Sequence, residues 1–167
     1  MTMLTLPALL YQHAQTYGDR KVAIREKEFG IWQSVTWRQY YEHVRDFALG
    51  LHVLGFKRDD KLAYAGDNRP EGLYSELAVE SLGGAIVGIY PDSHLDQVEY
   101  IINHSDATFV VAGDQEQADK ILDIKEKCPL VKKVIVDDPK GMRRYDDPLP
   151  TFFKDIQKQG RELHEKE

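Results

Sequence analysis

The chain has 167 residues, 42% of them apolar and 30% charged, with a formal net charge of −6 and one cysteine. That is the balance of one folded domain or large subdomain, not of a disordered tract, and it lacks the basic stripe of a nucleic-acid binder. One thiol allows no internal disulfide, which fits a reducing cytoplasmic setting, and the longest nearly apolar run, 82–90, is far too short to cross a bilayer.

The leading stretch 2–10 is apolar but short, has no basic start and runs into Tyr11-Gln12-His13, so it is not read as a secretory signal. Thr5 with Pro7 just after it predicts a helix start, and Gly18-Asp19 its stop. Residues 22–24 and 31–35 read as two short strands joined through Phe29-Gly30, an antiparallel hairpin at one edge of the fold. Thr36-Trp37-Arg38-Gln39 is a capping box. The helix it opens carries Tyr40, Val44, Phe47, Leu51 and Leu54 on one stripe and ends at Gly55.

A different pattern follows. Residues 62–65 predict a strand, Pro70 opens a helix to about Leu82, and 85–89 is a continuous apolar run that suits a strand buried on both faces. Gly83 reads as the helix cap between them and Gly84 as a point of close packing. Ser93 is expected to cap a helix carrying Leu95, Val98, Ile101 and Ile102. Residues 108–112 are a strand, and Asp114 with Gln117 a second capping box over a helix to about Lys127. After a strand at 134–136 comes a polar loop, 137–150, and Thr151 opens a last charged helix. Strand-helix alternation of this kind predicts an α/β fold with a parallel sheet and helices on both faces. The chain divides into 1–60 (edge helix, hairpin and helix), 61–136 (alternating core) and 137–167 (polar loop and terminal helix).

Ligands of parallel sheets bind off the carboxyl ends of the strands. Three acidic turns lie there: Asp67, Asp114 and Asp137-Asp138. They could hold magnesium or accept a phosphoryl group as in a receiver-like domain, but each has an ordinary role open to it, Asp114 as a cap and Asp137-Asp138-Pro139 as turn chemistry. The six histidines show no metal-ligand spacing, no nucleophile elbow or phosphate loop is present, and Gly83, Gly84 and Gly88 follow a helix, the wrong order for a dinucleotide fingerprint. Cys128 lies at a helix C-terminus, the wrong end for an activated thiol. No catalytic and no metal-binding residue is assigned.

Several phrases occur in order and at matching intervals: Tyr17-Gly18-Asp19-Arg20, Thr36-Trp37, Gly55, Asp60-Lys61, Asn68-Arg69-Pro70-Glu71, Gly88-Ile89-Tyr90-Pro91 and Tyr100-Ile101-Ile102-Asn103-His104-Ser105-Asp106-Ala107. Together they resemble the N-terminal region of adenylate-forming, AMP-binding acyl-CoA synthetases, with the nearest likeness to bacterial long-chain fatty-acid–CoA ligases. Residues 26–33 and Met142-Arg143-Arg144-Tyr145-Asp146-Asp147-Pro148 fit that branch. The resemblance implies the leading subdomain of an enzyme that uses ATP, magnesium and coenzyme A to adenylate a fatty acid and then form its thioester. It implies that the phosphate-gripping loop lies beyond this chain, so that the chain alone is inactive and binds none of these cofactors tightly. It also implies that Asn68, Arg69, Tyr90 and Pro91 wall a substrate cleft, and that Gln117 and Lys120 stand where some relatives contact coenzyme A phosphates. Expected partners are the rest of the synthetase chain, the fatty acid and coenzyme A. No nucleic acid and no transmembrane segment are expected, a homodimer stays open, and location is cytoplasmic with peripheral membrane contact open to the parent enzyme. The alternatives are a standalone regulatory or interaction domain, or the receiver-like domain.

Overall fold

The computed structural model describes residues 4–166. Thr2 and Met3 of the leading apolar stretch, and the final Glu167, lie outside the described residues. Helix α1 (Leu6–Tyr17) starts with the Thr5 hydroxyl accepting from the Ala8 N–H at 3.4 Å. A short 3-10 turn leads into β1 (Val22–Glu28) and β2 (Ile31–Thr36), an antiparallel pair. The first strand runs on to Glu28 although residues 25–28 are all charged, because backbone pairing with 31–34 extends it. The hairpin forms its own sheet, hydrogen-bonded to no strand of the main one. Helix α2 (Trp37–Val53) has the expected box: the Gln39 N–H donates to Thr36 Oγ1 (3.2 Å), and the Thr36 N–H donates to Gln39 Oε1 (2.9 Å). Past its end, the Phe56 N–H reaches the Leu51 carbonyl at 2.9 Å, and both side chains are buried. That hydrogen bond and contact define a Schellman stop with Gly55 at its left-handed position.

The main sheet holds β3 (Lys61–Ala65), β4 (Ala85–Ile89), β5 (Ala107–Ala112), β6 (Lys133–Val136) and β7 (Pro150–Phe152), all parallel, in the order β4-β3-β5-β6-β7. Helices α3 (Pro70–Ser81) and α6 (Phe153–His164) join α2 on one face, where Phe47, Leu51, Leu62, Val79, Phe109, Ile135 and Ile156 form one core. Helices α4 (Leu95–His104) and α5 (Gln115–Asp123) cover the other face over Ala63, Val98, Ile102, Val110, Ile121 and Val134. The alternation read from the sequence is thus a two-faced parallel sheet. Gly83 and Gly84 behave as expected: Gly83 turns the end of α3 at φ 77°, and a Cβ on Gly84 would press on the Phe56 ring and the Asp60 carbonyl.

Four local expectations are corrected. Strand β4 is an edge strand with only Ile89 buried, not a strand covered on both faces. The cap of α4 is His94, not Ser93; the Gln97 side chain accepts from the His94 N–H at 3.1 Å. Residues 150–152 form β7 against β6, so α6 begins at Phe153 instead of Thr151. The box at α5 is half made. Asp114 accepts from the Gln117 N–H at 3.0 Å, while the Gln117 amide turns away to the Pro91 carbonyl at 3.2 Å.

Candidate functional site

The chain steps from β3 to β4 on one side and then crosses to β5 on the other, so the topological switch point lies between β3 and β5. That crevice is shut at its carboxyl end. The Gly113 N–H donates to the Ala65 carbonyl at 2.8 Å, and a Cβ on Gly66 would stand 3.1 Å from the Gly113 Cα. The open space is one strand further out. A cleft of about 590 Å³ runs beside β3 and β4, beneath the hairpin and along the first turns of α3. Tyr64, Leu73, Ile24 and Ile86 give it apolar walls, and Asn68, Arg69 and Glu76 polar ones. The Tyr64 hydroxyl donates to the Asp67 carbonyl at 2.9 Å, which fixes the ring, and burial raises its phenol well above the ordinary range.

Arg69 stands at the inner end of the cleft. Its Nε is 3.5 Å from Glu26 Oε1 on the hairpin, 3.6 Å from Asp137 Oδ2 after β6, and 3.8 Å from Glu71 Oε2 on α3. Three carboxylates therefore share one cation. Arg69 Nε, Glu71 Oε2 and Asp137 Oδ2 are buried and none has a hydrogen bond. Asp137 is only 6% exposed. Burial, reinforced by the Glu71 charge and opposed by Arg69, pushes its carboxyl up from 3.8 to about 7. Burial raises Glu26 as well. The cluster ties the hairpin, the start of α3 and the end of the sheet to one point.

The residues singled out from the sequence fall into two groups. Asn68 and Arg69 line the cleft. Tyr90 and Pro91 lie outside it, with the Tyr90 ring 83% exposed. Pro91 instead meets Gln117 and Lys120: the Lys120 ammonium donates to the Pro91 carbonyl at 2.6 Å and pairs with Glu116 at 2.9 Å, and Gln117 is buried. Glu26 and Glu71 carry no site signal in the sequence; Asp137 stands there as one of the acidic turns open to magnesium or a phosphoryl group, not as a partner of Arg69. Asp137 follows an apolar strand directly, a position at the sheet's carboxyl edge that marks it, whereas nothing local to Glu26 announces its reach to Arg69. Asp138 does perform the expected turn chemistry, accepting from the Lys140 N–H at 3.1 Å. Cys128 is buried and burial raises its thiol, the state of an inert cysteine. Among the described residues no group of histidine, cysteine or carboxylate side chains is arranged to hold a metal ion.

The AMP-binding enzyme family matches residues 10–163. The chain belongs to the AMP-binding enzyme family. Among its relatives, the human long-chain-fatty-acid–CoA ligase ACSBG1 is 31% identical over 91% of this chain, and the Xenopus laevis ligase ACSBG2 is 30% identical over 79%. The 4-hydroxybutyrate–CoA ligase 2 of Metallosphaera sedula is 31% identical over 94%. The chain spans 20%, 18% and 27% of the lengths of these proteins, respectively. A crystal structure assigned as a long-chain-fatty-acid CoA ligase from Rhodopseudomonas palustris superposes with a TM-score of 0.77 over 92% of this chain and 36% of its own, at 22% identity. That likeness establishes the AMP-binding fold for this α/β chain. No helix among the described residues is long and apolar enough to cross a membrane.

Proposed function

We propose that this chain is the leading α/β subdomain of an ATP-dependent long-chain fatty-acid–CoA ligase, which adenylates a carboxylate and passes the acyl group to coenzyme A. The observation that supports this most is the family match across 10–163, joined to relatives named as acid–CoA ligases. In this reading residues 1–167 are one partial unit, and the cleft beside β3 and β4 is a wall of the substrate site. Asn68 and Arg69 face it directly; Tyr90 and Pro91 extend it toward the rest of the enzyme.

The described residues do not fit a magnesium site: Arg69 already occupies the centre of the Glu26, Glu71 and Asp137 cluster, and no group among them is arranged to hold a metal ion. A coenzyme A phosphate at Lys120 would have to displace the Pro91 carbonyl and Glu116. ATP, magnesium and coenzyme A are therefore assigned to the parent enzyme, with fatty acid as its substrate, a cytoplasmic setting and the rest of the synthetase as partner. Titration calorimetry should show no tight binding of ATP or coenzyme A to this chain. Palmitate-dependent ATP–pyrophosphate exchange should be absent from the chain alone; measurable exchange would overturn the reading that the phosphate-gripping groups lie elsewhere. A flanking reading frame that lacks the Ser/Thr/Gly-rich loop would overturn the assignment to a ligase.

One observation favours a second reading. Numbering the five parallel strands from β3, their order is 2-1-3-4-5, the order of receiver-type folds. Against it, Asp114 is engaged as a helix cap and Asp137 is held at Arg69. Phosphoryl uptake from acetyl phosphate would support the receiver reading, and its absence would leave the ligase reading in place.

A further inference from the structure

The β1–β2 turn is built on an unusual residue. Glu28 pairs with Ile31, so Phe29 and Gly30 alone make the loop, with φ of 47° and 81°. That is a type I′ turn, whose first position ordinarily takes asparagine, aspartate or glycine. Phenylalanine there is strained, and its side chain is 96% exposed. Ile31 (65% exposed) and Trp32 (64%) continue the apolar tip on either side of the strand. Among the described residues none of these three side chains belongs to either core.

The register says what surrounds them. Trp32 lies opposite Lys27, and Ser34 opposite Arg25, so Trp32, Lys27 and Arg25 share one face of the hairpin. Neither Lys27 nor Arg25 has an ion-pair partner among the described residues, and both line the rim of the cleft. Glu26 and Glu28 are on the opposite face, where Glu26 is engaged with Arg69.

We propose that the hairpin tip inserts into the interfacial layer of an anionic lipid bilayer. The shape is convex and aromatic, which suits the acyl–headgroup boundary where tryptophan and phenylalanine concentrate. Strand rise places Lys27 ~7 Å and Arg25 ~13 Å behind Phe29. With Phe29 at the top of the acyl region, the Lys27 ammonium reaches the lipid phosphates while its stem stays among apolar groups. The chain as a whole carries −6, so charge alone does not draw it to an anionic surface; the apolar tip and its two cations must act together. The bilayer is also the source of a long-chain acid if the function proposed above holds, although insertion of the tip does not depend on that function.

The test is flotation of the 167-residue chain with vesicles of phosphatidylcholine alone and of phosphatidylcholine mixed with phosphatidylglycerol. Binding is expected to the mixed vesicles and to be weak on the neutral ones. Phe29→Asn should weaken binding about tenfold, the worth of one buried aromatic side chain. It also relieves the turn, so a melting temperature at or above the parent's shows that lost binding is not lost folding. Lys27→Glu should weaken binding roughly fivefold or more, on the mixed vesicles only. The proposal is overturned if the parent ignores the mixed vesicles or if Phe29→Asn binds them as the parent does. A change of oligomeric state in Phe29→Asn, with vesicle binding unaltered, would assign the tip to contact between copies and equally sink the lipid reading.

Discussion

Asp137 shows how much a single side chain can be misread from sequence. Asp137-Asp138-Pro139 has the composition of a turn, and Asp138 obeys it, but Asp137 continues the sheet, its N–H donating to the Ala112 carbonyl at 2.9 Å. Its carboxyl is therefore carried inward by strand register; its place directly after an apolar strand marks the position, but the turn-like composition of 137–139 masks it. The energetic outcome has a definite sign. The group ionises at 3.8 in its ordinary setting and near 7 in the fold, so between those values the folded chain holds a proton that the unfolded chain has lost. Its contribution to stability is full below pH ~4, falls as pH rises through the window, and is flat above pH ~7. Asp137→Asn removes the buried charge and leaves Arg69 with two carboxylates. It should stabilise the chain by about 1–3 kcal/mol above pH 7 and by progressively less toward pH 5. Urea midpoints at several pH values check this; parallel pH profiles for parent and variant would refute it. Phe29→Asn belongs to the same scale: relieving a left-handed phenylalanine should add about 1 kcal/mol in the same assay.

At the level of elements, the caps were the most legible features, because a cap is a local hydrogen bond between residues a few positions apart. Thr5 and Thr36 serve as read; Asp114 caps α5 without completing the box with Gln117, and the cap read at Ser93 falls instead on His94. What the sequence concealed depends on distant neighbours. Strand β7 is three residues long, begins with proline and has no period to detect; only its pairing with β6 makes it a strand. The packing of α6 on α2 was equally hidden. A Cβ on Gly160 would overlap the Asp46 carbonyl oxygen, and one on Gly50 the Ile156 carbonyl oxygen, so the two backbones cross where neither helix has a side chain. The buried Asp46 then bridges Arg45 (2.6 Å) and Arg161 (2.9 Å) across the same contact. Gly160→Ala or Gly50→Ala should cost about 3 kcal/mol, the upper end of over-packing, and lower the melting temperature by roughly 6–12 °C. Gly88→Ala, with nothing within 4 Å of the added carbon, should stay within about 0.5 kcal/mol. Equal effects at Gly160 and Gly88 would show that the helices do not meet through bare backbone.

For the molecule as a whole, the alternation of strands and helices carried the architecture, since a parallel sheet is the arrangement that strand-helix-strand segments form. The alternation cannot say which strand ends the sheet. The apolar run of β4 reports a strand suited to burial, yet its outer side has no partner here, and Ala85 and Gly88 are exposed along it. Leu73, Leu95, Tyr90 and Tyr100 are exposed apolar side chains on the elements that flank this edge in sequence. An uncovered, uncharged edge strand is a template for association, and apolar surface of this kind binds hydrophobic dyes. Two measurements taken together test whether the edge is free in solution: fluorescence of an added hydrophobic dye, and sedimentation across a range of protein concentrations. The expected outcome is dye binding by a monomer, or a concentration-dependent dimer in which dye binding falls as the edge is covered. A monomer at every concentration that leaves the dye dark would mean that β4 is covered from within the chain, and the edge position assigned to it would be wrong.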